Sequence, residues 1–277
     1  MSVYRDKVCI ITGGASGLGR ALGAQLAGAG ASVILADIDE AALAEAATGM
    51  NGAVETLRVD VTDPASVQAL VDTTRARFGR IDYFFNNAGT AVIGEIRDLT
   101  LAQWRGVIEV NLFGEIHAIH AVYPVMIAQG FGHIVNTASG FGMAPGPLNS
   151  PYVAAKFGIF GLSHALAAEA KAFGIAVSIV CPGYIDTPMV RTSRPVNADP
   201  EAMLAQLPPL VPVDKAAAIV LDGVARRKRV IAFPSYVGLL AFLHRFLPPL
   251  FDRFADRQVQ NFRAIRRDPE GISSPPL

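Results

Sequence analysis

The sequence has no excess of charge of either sign and rather few charged residues. Its 277 residues include 24 lysines and arginines against 24 aspartates and glutamates, and charged residues make up 17% of the chain. A protein that binds nucleic acid usually carries a basic excess, so we expect no nucleic-acid partner. The hydrophobic fraction of 51% instead supplies enough material for a large core.

Cysteine is also scarce. The two cysteines, Cys9 and Cys181, lie in the apolar runs VCIIT and VSIVCPG. Such positions are typical of small buried side chains in a reducing compartment, so neither a disulfide nor a metal site is expected. The first residues, MSVYRDKVCIITGG, enter a strand directly, without the charged and then apolar leader of a secreted protein. These features predict a cytoplasmic protein.

Short β-branched runs alternate with alanine-rich helical patterns along the chain. Uninterrupted apolar strands are typical of strands buried on both faces, as in a parallel sheet between two layers of helices. The repeated β-α units therefore predict a three-layer, doubly wound α/β fold of the Rossmann type. We expect one domain at residues 1–233, with an irregular substrate loop at 187–213, and a basic, amphipathic helical extension at 234–277.

The turn after the first strand is rich in glycine and reads TGGASGLG. Glycines allow the backbone to approach a pyrophosphate closely, and the following helix offers N–H groups at its start. Tight β-α turns also use glycine for steric reasons alone, so the turn by itself is weak support for a nucleotide. We predict that a dinucleotide contacts Thr12, Gly13, Ser16, Gly17, Leu18 and Gly19.

The second strand, SVILAD, ends in Asp37, near the roughly 20-residue offset of a ribose-binding acid. A carboxylate there accepts a hydrogen bond from the 2′-hydroxyl of adenosine and repels a 2′-phosphate. No arginine or lysine lies within the glycine turn or directly after Asp37. An isolated aspartate of this kind is commonly just solvated. Together with the turn, Asp37 and its neighbour Ile38 predict NAD rather than NADP.

The stretch SPYVAAKFG places Tyr152 and Lys156 on one face of a predicted helix. Oxidation of a secondary alcohol removes a proton from oxygen and a hydride from carbon, and free tyrosine titrates near about 10. A neighbouring ammonium and a positive nicotinamide ring would favour the phenolate. Ser139 ends the strand HIVNTAS, where its hydroxyl can hold a substrate oxygen. Taken singly, these residues are equally well explained as a surface pair and a turn residue.

From about Asp6 to Met189 the chain resembles the single-domain short-chain dehydrogenases/reductases. The resemblance rests on several motifs in the family's order: TGGASGLG, Asp60 after a strand, NNAG at 86–89, Asn111 in VIEVNLFG, Ser139, Tyr152-x-x-x-Lys156, and PGYIDTP from Pro182. Each motif alone is weak, whereas their joint occurrence is specific. The family also implies a homodimer or homotetramer, formed through the helices that bear Asn111 and Tyr152.

The resemblance assigns roles to individual residues. It implies that Tyr152 is the acid/base, that Lys156 also binds the nicotinamide ribose, and that Asn111 holds a water linking Lys156 to solvent. An asparagine in a helix otherwise usually faces solvent or marks a bend. Further implied cofactor contacts are adenine contacts at Asp60 and Val61, packing beside the cofactor at Asn87, Ala88 and Gly89, and nicotinamide contacts at Pro182, Gly183, Ile185 and Thr187. Asn87 could equally be purely structural.

The segments expected to form the substrate wall are rich in Met, Leu, Phe and Pro. This composition suits a small-molecule substrate that is a bulky, lipophilic alcohol or ketone. Alternatively, the same residues could simply pack against one another and close the loop. The predicted substrate contacts are Ser139, Phe141, Met143, Leu148, Tyr184 and Met189.

The tail beyond Pro234 begins with apolar residues at helical spacing, and Pro248-Pro249 should end that helix. The apolar stretch is too short to span a bilayer. Three interpretations remain open. Packing against its own domain or a partner subunit is favoured over an interfacial membrane contact and over a helix that covers the active site.

The sequence thus predicts an NAD-dependent oxidoreductase that interconverts a lipophilic secondary alcohol and its ketone. The alternative is a non-catalytic NAD-binding regulatory protein, because one fold can serve many functions. Such a regulator would have no need for Asn111, Ser139, Tyr152 and Lys156 together. Epimerase or dehydratase chemistry on nucleotide sugars is disfavoured by the lack of a larger C-terminal substrate domain.

Overall fold

The computed structural model describes residues 2–267. Within them, seven parallel strands form one sheet in the order β3-β2-β1-β4-β5-β6-β7. The strands are β1 (Val8–Thr12), β2 (Ser32–Asp37), β3 (Ala53–Arg58), β4 (Tyr83–Asn86), β5 (Gly132–Thr137), β6 (Ile175–Pro182) and β7 (Val230–Phe233). The predicted doubly wound, Rossmann-like fold is confirmed.

Helices connect the strands and cover both faces of the sheet. They are α1 (Gly17–Gly28), α2 (Glu40–Thr48), α3 (Pro64–Phe78), α4 (Leu101–Ile108), α5 (Gly114–Gln129), α6 (Ser150–Ala170), α7 (Pro188–Arg191), α8 (Pro200–Ala205), α9 (Val213–Ala225), α10 (Ser235–Phe246) and α11 (Pro248–Ala264). A π-helical turn, Glu109–Phe113, joins α4 to α5. The substrate loop predicted at 187–213 thus contains two short helices, α7 and α8.

Alternate residues of the central strands supply two separate cores. In β1, Cys9 and Ile11 pack with α1 and α9 on one face of the sheet. Val8 and Ile10 pack with α3, α5 and α6 on the other face. Cysteines 9 and 181 are both buried and free, as predicted. The continuous apolar strands therefore reflect burial from both sides.

The edge strand β3 departs from this pattern. All six of its residues are exposed or only partly buried, and β3 lies at the edge of the sheet, where it pairs with β2 alone. The expectation of burial on both faces was therefore wrong for β3.

The strand order reverses between β1 and β4, and this reversal positions the site. In open α/β sheets a crevice forms beyond the carboxyl ends of the strands at such a point. The glycine turn follows β1 and the NNAG segment follows β4, so both lie at this crevice. The Thr12 hydroxyl joins them, because it accepts hydrogen bonds from the N–H groups of Asn87 and Ala88 at 3.0 and 3.1 Å.

The tail folds back over the same edge of the sheet. As predicted, its first helix ends before Pro248, and a second helix, α11, starts there. Over residues 2–267, none of the helices is long and apolar enough to cross a membrane. The last ten residues of the extension predicted at 234–277 lie outside the described part of the chain.

Candidate active site

A cavity of about 1120 Å³ lies beyond the carboxyl ends of the strands. Its walls come from the glycine turn, the ends of β2, β4, β5 and β6, helix α6, the substrate loop and the two tail helices. The predicted cofactor and substrate residues can therefore be compared with one continuous surface.

The glycine turn has the tight geometry that a pyrophosphate site requires. Gly13 and Gly17 have positive φ values of 66° and 51°. A Cβ atom on Gly19 would lie 2.1 Å from the carbonyl oxygen of Gly13. Ser16 precedes α1 without a side-chain hydrogen bond to the first turn, so that turn keeps N–H groups for a ligand. These features fit a bound dinucleotide.

The six residues predicted in the turn divide into two groups. Gly13, Ser16, Gly17 and Leu18 line the cavity, whereas Thr12 and Gly19 do not. Thr12 is buried behind the turn, where its hydroxyl binds the NNAG segment. Gly19 packs α1 against the turn, so both residues shape the site from behind.

Asp37 lines the cavity beside Ile38 at the end of β2. Its carboxylate accepts hydrogen bonds from the N–H groups of Ala15 at 3.1 Å and Asp39 at 3.2 Å. A carboxylate has about four acceptor positions, so it can still accept from a ribose hydroxyl. The exposed Arg58 stands in register with Asp37 on β3. Sequence reasoning missed this cation because it lies on a neighbouring strand.

The other predicted cofactor residues also line the cavity. The hydroxyl and N–H of Thr62 bind Asp60 at 2.7 and 2.9 Å, which holds the pKa of Asp60 below its ordinary value. The remaining lining residues from that group are Val61, Asn87, Ala88, Gly89, Pro182, Gly183, Ile185 and Thr187.

Asn111 is fully buried in the π-helical turn. Its amide nitrogen donates to the carbonyl oxygens of Thr90 and Val107, both at 2.8 Å, and its side-chain oxygen accepts from the Thr90 N–H. The Asn111 side chain therefore does not face solvent, and both of its polar atoms are hydrogen-bonded. The side chain ties the segment after β4 to the turn and lines the cavity floor.

Ser139, Tyr152 and Lys156 line the cavity together with Asn111. The Ser139 hydroxyl accepts a hydrogen bond from the Phe141 N–H at 3.1 Å. The Lys156 ammonium lies 5.7 Å from the centre of the Tyr152 ring. Lys156 is only 2% exposed, so the two residues are not a surface pair.

Lys156 has a partner that sequence reasoning missed. Its ammonium donates to the Thr137 carbonyl oxygen at 2.6 Å and contacts a carboxylate oxygen of Glu115 at 3.2 Å. Burial raises the pKa of Glu115 to about 7, although Lys156 opposes the rise. One signal was present: Glu115 is an acidic residue in the apolar run NLFGEI, four residues after Asn111.

Four of the five remaining substrate predictions fall on the cavity wall: Phe141, Leu148, Tyr184 and Met189. The Phe141 ring meets those of Tyr152 and Tyr184 edge-on, at 6.4 and 6.1 Å between centres.

Met143 does not line the cavity, so its prediction as a substrate contact was wrong. It packs against the buried cluster of Ala138, Ile159, Ile179 and Cys181, because the short helical turn after Ser139 directs it towards the core.

The tail helices supply part of the wall that sequence reasoning did not assign. Their contribution is mostly apolar, with Arg257, Gln258 and Asn261 as polar members; the apolar residues are Tyr236, Val237, Leu239, Leu240, Phe251, Phe254 and Phe262. Helical periodicity marked α10 as amphipathic, but it did not show where the apolar face would pack.

Comparison with known proteins identifies the family. A family model described as short chain dehydrogenase matches residues 7–198. The chain belongs to the short-chain dehydrogenase/reductase family and is an oxidoreductase of that family. Among the described residues, no group of side chains could hold a metal ion.

Individual relatives are similar over most of the chain. A levodione reductase from Leifsonia aquatica is 41% identical over 72% of this chain and 76% of its own. A D-beta-hydroxybutyrate dehydrogenase from Rhizobium meliloti is 37% identical over 69% of this chain and 76% of its own. The crystal structure of a family member from Burkholderia phymatum in complex with NAD is 29% identical, with a TM-score of 0.78. It covers 98% of this chain and 99% of its own, so the likeness extends into the tail.

Proposed function

We propose that this protein is an NAD-dependent oxidoreductase that interconverts a lipophilic secondary alcohol and its ketone. The observation that carries the proposal is that one cavity is lined by the glycine turn and by four further residues: Asn111, Ser139, Tyr152 and Lys156. The names of two relatives, a levodione reductase and a D-beta-hydroxybutyrate dehydrogenase, agree with this reaction class. A regulatory NAD-binding protein would have no use for this group of residues.

In the proposed mechanism, the Ser139 hydroxyl holds the substrate oxygen and stabilises the charge that develops on it. Tyr152 takes the hydroxyl proton in the oxidation and returns it in the reduction. The Lys156 ammonium favours the phenolate form of Tyr152 and has an N–H left for the nicotinamide ribose. NAD held by the residues of the glycine turn would supply the acceptor for the hydride that leaves the alcohol carbon.

The choice of NAD over NADP rests on Asp37. Its carboxylate borders the cavity, where it would accept from a ribose hydroxyl and repel a 2′-phosphate. Gly13, Ser16, Gly17 and Leu18 would hold the pyrophosphate at the start of α1. Asp60 and Val61 would border the adenine.

We infer a lipophilic substrate from the apolar part of the cavity wall. This part of the wall combines apolar residues of α10 and α11 with four of the predicted substrate residues: Phe141, Leu148, Tyr184 and Met189. Ligand pockets are usually lined by apolar groups with a few polar ones that set orientation. Ser139 and Tyr152 would be the orienting groups here.

We further propose that the tail covers the active site. Arg263 and Arg266 near the end of α11 form ion pairs with Glu95, at 2.6 and 2.9 Å, and Arg266 also pairs with Asp98. These ion pairs therefore attach the end of the tail to the domain that carries the sheet. Contact with a membrane remains the alternative, because the tail exposes several large apolar side chains: Leu239, Phe242, Phe246, Leu247, Leu250 and Phe254. Co-sedimentation of the intact protein with phospholipid vesicles would support the alternative.

The assembly and the location are also part of the proposal. Exposed phenylalanines at 113 and 157, beside α5 and on α6, agree with a homodimer or homotetramer formed through these helices. A cytoplasmic location is inferred from the two free cysteines.

The deciding experiment supplies NAD with a panel of secondary alcohols, from short aliphatic to bulky alicyclic and aromatic, and follows absorbance of the reduced cofactor. We expect turnover with the lipophilic members and a loss of at least about 100-fold in kcat for Tyr152→Phe. NAD binding with no turnover on any alcohol would favour the regulatory alternative. Turnover that survives in Tyr152→Phe would refute the mechanism.

A further inference from the structure

A buried carboxylate stands behind the proposed acid/base pair. Glu115 lies in the first turn of α5, directly after the π-helical turn, and its carboxylate is 3.2 Å from the Lys156 ammonium. Both side chains are only 3% exposed. A buried ion pair is costly to desolvate and is weak support for a stabilising role. Its contact with Lys156, whose ammonium lies 5.7 Å from the centre of the Tyr152 ring, suggests a role in the reaction.

The hydrogen bonds of the pair leave one N–H donor of Lys156 available to the cavity. An ammonium has three N–H donors. Glu115 and the Thr137 carbonyl take one each, at 3.2 and 2.6 Å. Only one carboxylate oxygen of Glu115, Oε1, accepts a hydrogen bond. The other, Oε2, is buried and has no hydrogen-bond partner within the described residues. Glu115 therefore acts on its surroundings chiefly through Lys156.

The surroundings of Glu115 leave Lys156 as its dominant charged neighbour among the described residues. Strand β5 presents the neutral Thr137 carbonyl to Lys156. The π-helical turn carries the buried, neutral Asn111 and the exposed Glu109. On α5 itself, the His117 ring is engaged with the Val61 carbonyl at 3.0 Å. The packed helix α3 carries its charges on exposed residues: Asp72, Arg75 and Arg77.

The charge state of Glu115 therefore decides the net charge beside Tyr152. When Glu115 is ionised, it offsets the Lys156 ammonium, which then favours the phenolate less. When Glu115 is protonated, the ammonium charge acts without compensation. Burial raises the pKa of Glu115 above that of an ordinary carboxyl, which brings its protonated state closer to the pH range in which the enzyme would act.

We propose that Glu115 is a positioning residue for the reaction: it fixes the Lys156 ammonium against the Thr137 carbonyl and sets how much of its positive charge acts on Tyr152. This inference rests on the proposed function in that Tyr152 is taken as the proton-transfer group. It adds to that function a buried group that tunes the pH range of activity.

The first test is the pH profile of alcohol oxidation in Glu115→Gln. Glutamine keeps the length and an acceptor oxygen for Lys156 but removes the negative charge. We expect the acidic limb of kcat/KM to move about one pH unit lower, the order that one nearby charge produces. Glu109→Gln, an exposed substitution in the same connection between α4 and α5, should leave the limb in place. An active Glu115→Gln enzyme with an unmoved limb would overturn the inference.

A second measurement needs no substrate. The ultraviolet absorbance of phenolate is titrated in the NAD-free protein with and without Tyr152→Phe, and the difference isolates Tyr152. We expect that phenolate to appear about one pH unit lower in Glu115→Gln. If that variant does not fold, Glu115→Asp, which withdraws the charge from Lys156, should give a smaller shift in the same direction. Unshifted curves refute the role of Glu115, whereas a shift in a protein inactive on every alcohol refutes the proposed function alone.

Discussion

The Tyr236 hydroxyl on tail helix α10 accepts a hydrogen bond of 3.1 Å from the backbone N–H of Tyr184, in the segment that follows β6. The contact depends on Gly183, because a Cβ atom there would lie 2.2 Å from the same hydroxyl. Tyr184 and Tyr236 both line the cavity. The tail is therefore joined directly to the segment predicted to flank the nicotinamide.

Tyr236→Phe should weaken substrate binding more than it weakens turnover. The change leaves the Tyr184 N–H without its acceptor and loosens the tail helix over the cavity. We expect KM for a lipophilic alcohol to rise about three- to tenfold, with kcat within about twofold of the unmodified enzyme. Steady-state kinetics on the best alcohol of the panel measures both values.

Tyr123→Phe is the matched control for this substitution. The Tyr123 hydroxyl is buried on α5 without a hydrogen-bond partner among the described residues. Its removal should leave KM unchanged and stability unchanged or slightly higher. Equal effects of the two substitutions would show that the Tyr184 contact does not hold the tail over the site.

Glu95→Gln should detach the far end of the tail. Glu95 is buried and pairs with Arg97, Arg263 and Arg266. Removal of its charge takes one carboxylate partner from Arg263 on α11 and from Arg266 just after it, so we expect the free energy of unfolding to fall by about 1–3 kcal/mol. Urea unfolding measures the loss, and faster proteolysis after Arg257 would locate it in the tail.

The control for Glu95→Gln is Asp222→Asn, which removes an exposed ion pair with Arg226. Surface pairs of this kind contribute about 0–1 kcal/mol. If Glu95→Gln were no more costly than Asp222→Asn, the ion pairs at Glu95 would not anchor α11.

The same anchor should weaken in acid. The Arg266 guanidinium holds the pKa of Asp98 below its ordinary 3.8. Burial pushes the pKa of Glu95 up, but hydrogen bonds from Arg263 and Arg97 outweigh burial and keep it below 4.5. A lowered carboxyl pKa means that the stabilisation is complete above the ordinary value and is lost as the pH falls through the lowered one.

We therefore expect the stability difference between the unmodified protein and the double variant Glu95→Gln, Asp98→Asn to be constant above about pH 5 and to shrink below about pH 4. Unfolding midpoints recorded from pH 7 to pH 3 measure it. A difference that grew with acidity would contradict the sign of both shifts.

The sheet and the glycine turn could be predicted because their signals are local. Apolar runs such as VCIIT report burial on two faces, and Gly13, Gly17 and Gly19 meet steric demands within a few residues of themselves. The placement of Asn111, Ser139, Tyr152 and Lys156 at one edge followed from the order of motifs along a known type of fold.

Features that depend on distant contacts could not be predicted in this way. The pairing of Glu115 with Lys156 joins two side chains that are 41 residues apart in the sequence. The tail residues reach the cavity because Arg263 and Arg266 meet Glu95 across 168 and 171 residues of sequence. Met143 looked like a wall residue from its neighbours, but a short turn directs it inward.

Asp37→Ala should erode the preference for NAD. The carboxylate would lose its acceptor role towards the 2′-hydroxyl and its repulsion of a 2′-phosphate. Arg58, in register with Asp37 on β3, would then be the nearest cation on the neighbouring strand for a 2′-phosphate. We expect kcat/KM with NAD to fall about tenfold or more, and kcat/KM with NADP to rise.

The double variant Asp37→Ala, Arg58→Gln separates the two contributions. Without the guanidinium, the gain with NADP should disappear while the loss with NAD remains, because the 2′-hydroxyl of NAD needs no positive charge. Dissociation constants for the two cofactors, measured without substrate, provide the same comparison independently of catalysis. Tighter binding of NADP than of NAD by the unmodified protein would show that Asp37 does not exclude the 2′-phosphate, and the choice of NAD would then fail.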